Sequence, residues 1–239
     1  KANKILLMVS IFVRTYHKDL KWLNYCLQSI HKNLVGWSEI VICIPTGQES
    51  LLSHLTSEKV VTCKIYIDDY LFQQVSKIQA NQHCKGEYIL FVDSDVIFKP
   101  NANVLDYFYE NKPIVLKAKY DSVGEAICWK APTEKLFKEN IDFEYMRFAP
   151  QLFHKSTLEM FNDSFHDIEN YVMSQPYRQF SEFNALGFYA EKMQNNDYSI
   201  IDVTNGVPEY LPKNNAVQKW SWGGISEEIK KELESYLIC

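Results

Sequence analysis

The chain reads as an α/β fold: a mostly parallel sheet flanked by helices, in a single domain. Three observations lead there. Apolar, strand-like runs alternate with helix-periodic stretches through the first hundred residues. The composition, 46% hydrophobic and 23% charged, is that of an ordinary globular protein and argues against disorder. At 239 residues the chain can bury roughly 70% of its unfolded surface without staples.

Each element has its own warrant. Lys4–Val13 (KILLMVSIFV) is a continuous apolar run suited to a strand covered on both faces. Asp19–Leu34 follows as a helix, with Leu20, Leu23, Leu27 and Ile30 on one face and Asp19 placed to cap it. Glu39–Ile44 is a second strand, closed by Pro45-Thr46-Gly47, and a helical stretch leads to a third at Val60–Ile67. Asp68-Asp69 ends that strand, Tyr70–His83 is a helix, and Tyr88–Val92 (YILFV) is the fourth strand. Strands separated by helices imply parallel βαβ units with right-handed crossovers. Beyond Pro100 the alternation weakens. A helix is expected around Val104–Glu110 and strands at Ile114–Ala118 and Ala126–Lys130. Phe137–Tyr210 is expected to be mostly helical, and Ser226–Leu237 an amphipathic helix.

The net charge of −5 lacks the electrostatic footprint of a nucleic-acid binder. Six scattered cysteines, without a CxxC pair, sit mostly beside apolar residues. They read as free thiols in a reducing, cytoplasmic or cytoplasm-facing compartment. The longest apolar run, Ile5–Val13 broken by Ser10, is about half of the ~20 residues a membrane span needs. A start at Lys1 without Met suggests a domain of a longer protein, with room for an upstream anchor.

The sharpest chemical feature is Asp93-Ser94-Asp95, directly after the YILFV strand. Ligands of open α/β sheets sit at the carboxyl ends of the strands. Paired carboxylates there suit a hard cation, Mn²⁺ or Mg²⁺, which takes one or two of them together with substrate phosphates. The bland alternative is a solvated turn that caps the next helix. Arg14 follows the first strand on the same edge. Lys77 is either a cation aimed at a phosphate or a solvated helix lysine. Asp68 and Asp69 either accept hydrogen bonds from a ribose or base, or cap the next helix. Gln73 and Gln74 form a doubled amide just before Lys77.

With its DXD after an apolar strand, the chain resembles glycosyltransferases of the GT-A fold. It looks closest to a subgroup that includes a virus-encoded capsid-protein glycosyltransferase domain. Val13-Arg14-Thr15, Leu27-Gln28-Ser29-Ile30, Gln73-Gln74-x-x-Lys77 and Phe180-Ser181-Glu182-Phe183 with Gly187 corroborate it. The resemblance implies a GT-A-like, Rossmann-like sheet and transfer of a sugar from a nucleotide-diphosphate sugar, UDP- favoured over GDP-. The acceptor would be a hydroxyl on a glycan or glycoprotein. Residues 1–100 would form the nucleotide-sugar half and 101–239 the acceptor half. Asp93 and Asp95 would hold the metal, with Val13, Arg14, Thr15, Asp68, Asp69, Gln74, Lys77 and Ser94 around the donor. Glu182 would be the acidic residue at the acceptor hydroxyl, or else a helix-start glutamate.

Trp129, Trp220 and Trp222, flanked by lysines and glycines, are candidates to stack on sugar rings. No late residue stands out as a further metal ligand among His154, His166, Asp197 and Asp202. No GxSxG, Walker loop or GxGxxG occurs. Two rival functions share these residues: a haloacid-dehalogenase-like phosphatase using Asp93 and Asp95, and a non-catalytic carbohydrate-binding domain.

Overall fold

The computed structural model describes residues 8–66, 68–147 and 149–237. Its first strand, β1 (Val9–Arg14), is buried along its whole length. The expected stretch Lys4–Leu7 lies outside the described residues, and Met8 precedes the strand. Helix α1 (Leu20–Asn33) starts after Asp19, which makes no capping hydrogen bond. Leu34 instead opens a two-residue strand, β2 (Leu34–Val35). Strand β3 (Glu39–Pro45) matches its expected run, but only a single 3-10 turn, Glu49–Leu52, stands where a helical stretch was expected before β4.

Strand β4 (Lys59–Cys63) stops well before the expected Ile67, which lies outside the described residues. The reason is the register. Cys63 pairs with Pro45, the last residue of β3, so an extension would have no partner. Helix α2 (Asp69–Ile78) gives way to a 3-10 turn at Ala80–Gln82, and β5 (Tyr88–Asp93) follows.

Beyond β5 the structure departs further from the sequence reading. Strands β6 (Val96–Phe98) and β7 (Ala102–Asn103) precede a 3-10 turn at Val104–Tyr107. The expected helix is therefore one turn. It is followed by a hairpin of β8 (Phe108–Tyr109) and β9 (Lys112–Lys119), linked through Glu110 and Asn111, both at positive φ as a tight hairpin turn requires. Ala126–Lys130 is not a strand. It is a 3-10 segment, Gly124–Trp129, running into α3 (Lys130–Phe137) with Ala126 its one buried residue. Its short apolar run cannot by itself separate strand from helix.

The expected helical stretch holds α4 (Lys155–Ser164), α5 (Ile168–Met173) and α6 (Glu182–Gln194). It also holds the short strands β10 (Phe143–Glu144), β11 (Gln151–His154) and β12 (Ser199–Asp202). Strand β13 (Ala216–Gln218) and helix α7 (Glu227–Leu237) complete the chain, α7 starting where Ser226 Oγ accepts from Ile229 N.

The main sheet runs β11-β5-β1-β3-β4, with β5, β1, β3 and β4 parallel and β11 antiparallel at the edge. Elsewhere β9 pairs antiparallel with β8 and β10 and parallel with β12, while β13 pairs antiparallel with β6. The sheets are thus mixed, which corrects the mostly parallel expectation. The α/β class and the single domain stand. Side-chain alternation sorts the core into two layers. Ile11, Val13, Ile42 and Val92 face α1 and α7, while Phe12, Val41, Cys43 and Phe91 face α2, α4 and α6. Both faces of the sheet are therefore closed, and only its ends are open to chemistry. The two expected halves share this sheet, since β11 lies directly against β5. The five described cysteines are free thiols, and Cys239 lies outside the described residues. No described helix is long and apolar enough to cross a membrane.

Two predictions follow from the packing. Gly187 lets α6 pack on Tyr145: a Cβ built there would lie 2.7 Å from Tyr145 Cγ. Gly187→Ala should cost roughly 1–3 kcal/mol by overpacking, read from urea unfolding. Burial between Tyr88 and Tyr198 holds His154 below its usual 6.5, against the Asp197 carbonyl that opposes the shift. The unfolded chain then takes up this proton first, so the contribution is present above pH 6.5 and is lost as pH falls. The melting-temperature gap between wild type and His154→Phe should narrow from pH 7 to pH 5. A gap independent of pH would contradict the assignment.

Candidate functional site

The parallel register of β1 and β5 sets Arg14 opposite Asp93, so both strands deliver polar residues to one edge of the sheet. Thr15 continues from β1 and donates its backbone N–H to the Cys43 carbonyl at 3.0 Å. Ser94 and Asp95 continue from β5. A cleft of about 420 Å³ opens above them. The start of α6, the face of α2 carrying Gln73, Gln74 and Lys77, the Cys128-Trp129 corner and the segment from Gln218 to Trp222 close its walls.

At the floor, Lys77 is 3% exposed and its Nζ lies 2.7 Å from Asp93 Oδ1 and 2.9 Å from Glu182 Oε1. Phe183 lies beneath the ammonium, its ring centroid 4.8 Å from Nζ. Burial alone would lower the pKa of Lys77, but the Asp93 and Glu182 carboxylates outweigh it and hold it raised and charged. Burial pushes Glu182 up, and Lys77 opposes that shift. The doubled amide completes the network. Gln73 Nε2 donates to Asp93 Oδ1 at 3.4 Å, and Gln74 Oε1 accepts the Glu182 backbone N–H at 3.1 Å. Cys26 Sγ donates to the Asp93 carbonyl at 3.7 Å. Lys77 is therefore neither a solvated lysine nor a free cation; it is the buried centre of a triad whose Asp93 is partly exposed.

Asp95 plays a different part. Its Oδ2 accepts from Ser221 N at 2.9 Å and its carbonyl accepts from Lys219 N at 2.8 Å, tying the 218–222 segment to the sheet edge. Its Oδ1 is buried without a partner. Burial, then the neighbouring Asp93 charge, push its pKa up to about 7. Asp19 is raised by burial too, and its carboxylate accepts from Ser94 Oγ at 3.3 Å. Among the described residues six buried side-chain atoms lack a hydrogen-bond partner. Four of them, on Arg14 (Nε), Thr15 (Oγ1), Asp95 (Oδ1) and Glu182 (Oε1, ion-paired with Lys77), belong to residues lining this one cleft. Such groups are costly in an empty interior and make sense where a polar ligand binds.

Trp220 and Trp222 stand on the lip, 65% and 81% exposed. Trp129 is more enclosed and donates its indole N–H to the Arg178 carbonyl at 3.1 Å. The cleft thus gathers Arg14, Thr15, Gln74, Lys77, Asp93, Ser94, Asp95, Glu182 and all three candidate tryptophans. Three expected donor residues fall elsewhere. Val13 is fully buried in the core layer toward α1. Asp68 caps α2, accepting from Leu71 N at 3.0 Å, and Asp69 is the first residue of that helix; neither lines the cleft. His154, His166, Asp197 and Asp202 do not line it either.

Sequence reasoning missed Tyr16, Tyr70, Glu125, Cys128, Met146, Arg178, Gln218 and Ser221, and assigned Asp19 only to a helix start. Asp19, five residues beyond the same strand edge as Arg14, carried a readable signal. The others carry no such motif: Tyr70 lies on α2, Gln218 ends β13, and the rest sit in loops and short turns.

Among the described residues no group of three or more His, Cys, Asp or Glu is arranged to hold a metal ion. The donor set nevertheless suits one hard divalent ion held by few protein ligands. Asp95 Oδ1 is a buried carboxylate oxygen in want of a partner, and Asp93 lies two residues away. No protein-family model matches the chain, and no curated protein matches it.

Removing the ammonium from the triad leaves the buried Glu182 carboxylate without a counter-charge beside the partly exposed Asp93. Lys77→Met should therefore lower stability by roughly 3–5 kcal/mol in urea unfolding, and adding Glu182→Gln should restore part of it. Independent, additive costs would show that the triad is not a unit.

Proposed function

We propose that the chain is a GT-A-like, sugar-nucleotide-dependent glycosyltransferase that moves a sugar from a nucleotide-diphosphate donor, UDP- favoured over GDP-, to a hydroxyl acceptor. The observation that carries the reading is the convergence of unpartnered buried polar atoms around Asp93-Ser94-Asp95 at the carboxyl edge of the parallel strands.

The roles follow from the groups present. Asp95 Oδ1, with Asp93 beside it, would hold Mn²⁺ or Mg²⁺, the diphosphate and water filling the remaining positions. When bound, that ion supplies Lewis-acid stabilisation of the negative charge on the departing diphosphate. Arg14 Nε and Thr15 Oγ1 are donors without partners at the end of β1, where the donor's polar groups would rest. In the transfer, the bond from the anomeric carbon to the phosphate oxygen breaks and its electron pair leaves with the nucleoside diphosphate. The acceptor oxygen forms the new bond, and its proton passes to Glu182 at the carboxylate oxygen not paired with Lys77. Lys77 keeps Glu182 in place. Exposed Trp220 and Trp222 offer faces for sugar rings at the cleft mouth.

Calorimetry with UDP and GDP is the direct test. Binding should require Mn²⁺, and Asp95→Asn should weaken it at least tenfold, about 1.4 kcal/mol. Equal affinity with and without the ion would sink the metal assignment. Phosphate release from an aryl phosphate, independent of any nucleotide, would favour the phosphatase reading instead. Glu182→Gln should slow transfer by roughly 10²–10⁴-fold; transfer within threefold of wild type, at matched folding, would remove Glu182 from the chemistry.

A further inference from the structure

Three cations line the cleft: Arg14, Lys77 and Arg178. Lys77 is committed to Asp93 and Glu182 at 2.7 and 2.9 Å, so drawing it to a third anion would strip a buried carboxylate of its partner. Arg14 and Arg178 make no ion pair among the described residues. Five carboxylates line the same cleft, so a substrate phosphate or carboxylate is drawn to the two cations that have no acid partner among the described residues.

Arg178 has the marks of a positioned residue. It lies in the loop before α6, exposed to solvent, with its backbone at φ 61°, a left-handed conformation that is uncommon outside glycine. Its carbonyl accepts from Trp129 Nε1 at 3.1 Å and Cys128 Sγ at 3.7 Å, two residues of the same cleft wall. Its guanidinium lies 5.4 Å from the Tyr177 ring centroid and 5.8 Å from that of Tyr70. Both rings lie within cation–π reach, while the N–H fork has no acceptor among the described residues. A planar fork without a protein partner suits a bidentate oxyanion.

We infer that Arg178 is an oxyanion-binding residue of the cleft, which with Arg14 receives a phosphate or carboxylate of the substrate in place of Lys77. The oxyanion has two sources under the glycosyltransferase reading on which its identity rests: the donor's diphosphate, or an acidic group on the acceptor sugar.

The experiment compares wild type with Arg178→Asn, which removes the guanidinium but tolerates a left-handed backbone, and with Arg178→Lys, which keeps the charge without the fork. Calorimetry in Mg²⁺ buffer uses inorganic pyrophosphate, UDP, GDP, glucuronic acid and uncharged uridine. Arg178→Asn should weaken pyrophosphate and UDP at least tenfold, with uridine and the melting temperature unchanged and Arg178→Lys intermediate. A loss confined to glucuronic acid assigns the oxyanion to the acceptor and equally supports the inference. It is overturned if wild type binds neither pyrophosphate, UDP nor glucuronic acid, if Arg178→Asn binds them as wild type does, or if uridine weakens in parallel. Wild type that binds pyrophosphate but neither UDP nor GDP removes the glycosyltransferase reading alone. The Arg178 assignment then stands or falls on the variant's pyrophosphate affinity.

Discussion

The site hangs on one buried ammonium. Lys77 reaches from α2 to Asp93 at the end of β5 and to Glu182 at the start of α6, and each link is within ion-pair distance, with Lys77 and Glu182 buried and Asp93 partly exposed. Desolvating three charged groups is expensive, and only their mutual attraction and the added amide contacts of Gln73 and Gln74 offset the cost. The consequence is geometric. A residue late in the chain is locked to the strand that carries the acidic motif, so neither wall can shift without breaking the triad.

That lock explains why the chemistry gathers where it does. Closing both faces of the β1, β3 and β5 sheet with apolar layers leaves only its ends free, and the parallel register brings Arg14 and Asp93 to the same end. The turn after β5 then divides the labour between two acids. Asp93 is neutralised by Lys77, whereas Asp95 uses one oxygen to hold the Ser221 backbone and keeps the other unpartnered. Burial beside Asp93 makes an uncompensated Asp95 charge unfavourable, which is why its pKa rises to about 7 and why a cation there is physically apt.

The cleft's cations divide in the same way. One cation balances part of the internal acid, and two arginines line the cavity without acid partners among the described residues. Lys77 and Arg178 show how little residue type alone says about role: a lysine that could have met phosphate or solvent pairs with two carboxylates, and an arginine in an irregular loop lines the same cleft.

Much of the first hundred residues was legible because buried strands and amphipathic helices repeat with short periods. The runs ending at Val13, Ile44 and Val92 and the helix faces of α1 and α2 declare themselves locally. The acidic pair was legible too, since Asp93 and Asp95 follow an apolar strand and cannot both be core. Other features depended on partners distant in sequence. Strand β4 ends where β3 ends, β11 pairs with the edge of β5, and Ala126–Lys130 folded as a 3-10 segment running into α3. The same holds within the site. Asp68 became a helix cap, Val13 turned into the core, and Lys77 was captured by carboxylates 16 and 105 positions away along the chain. Periodicity and residue type are local properties and could be read from the chain itself. Charge pairing and strand partnership are decided by which surfaces meet, and only the folded chain determines that.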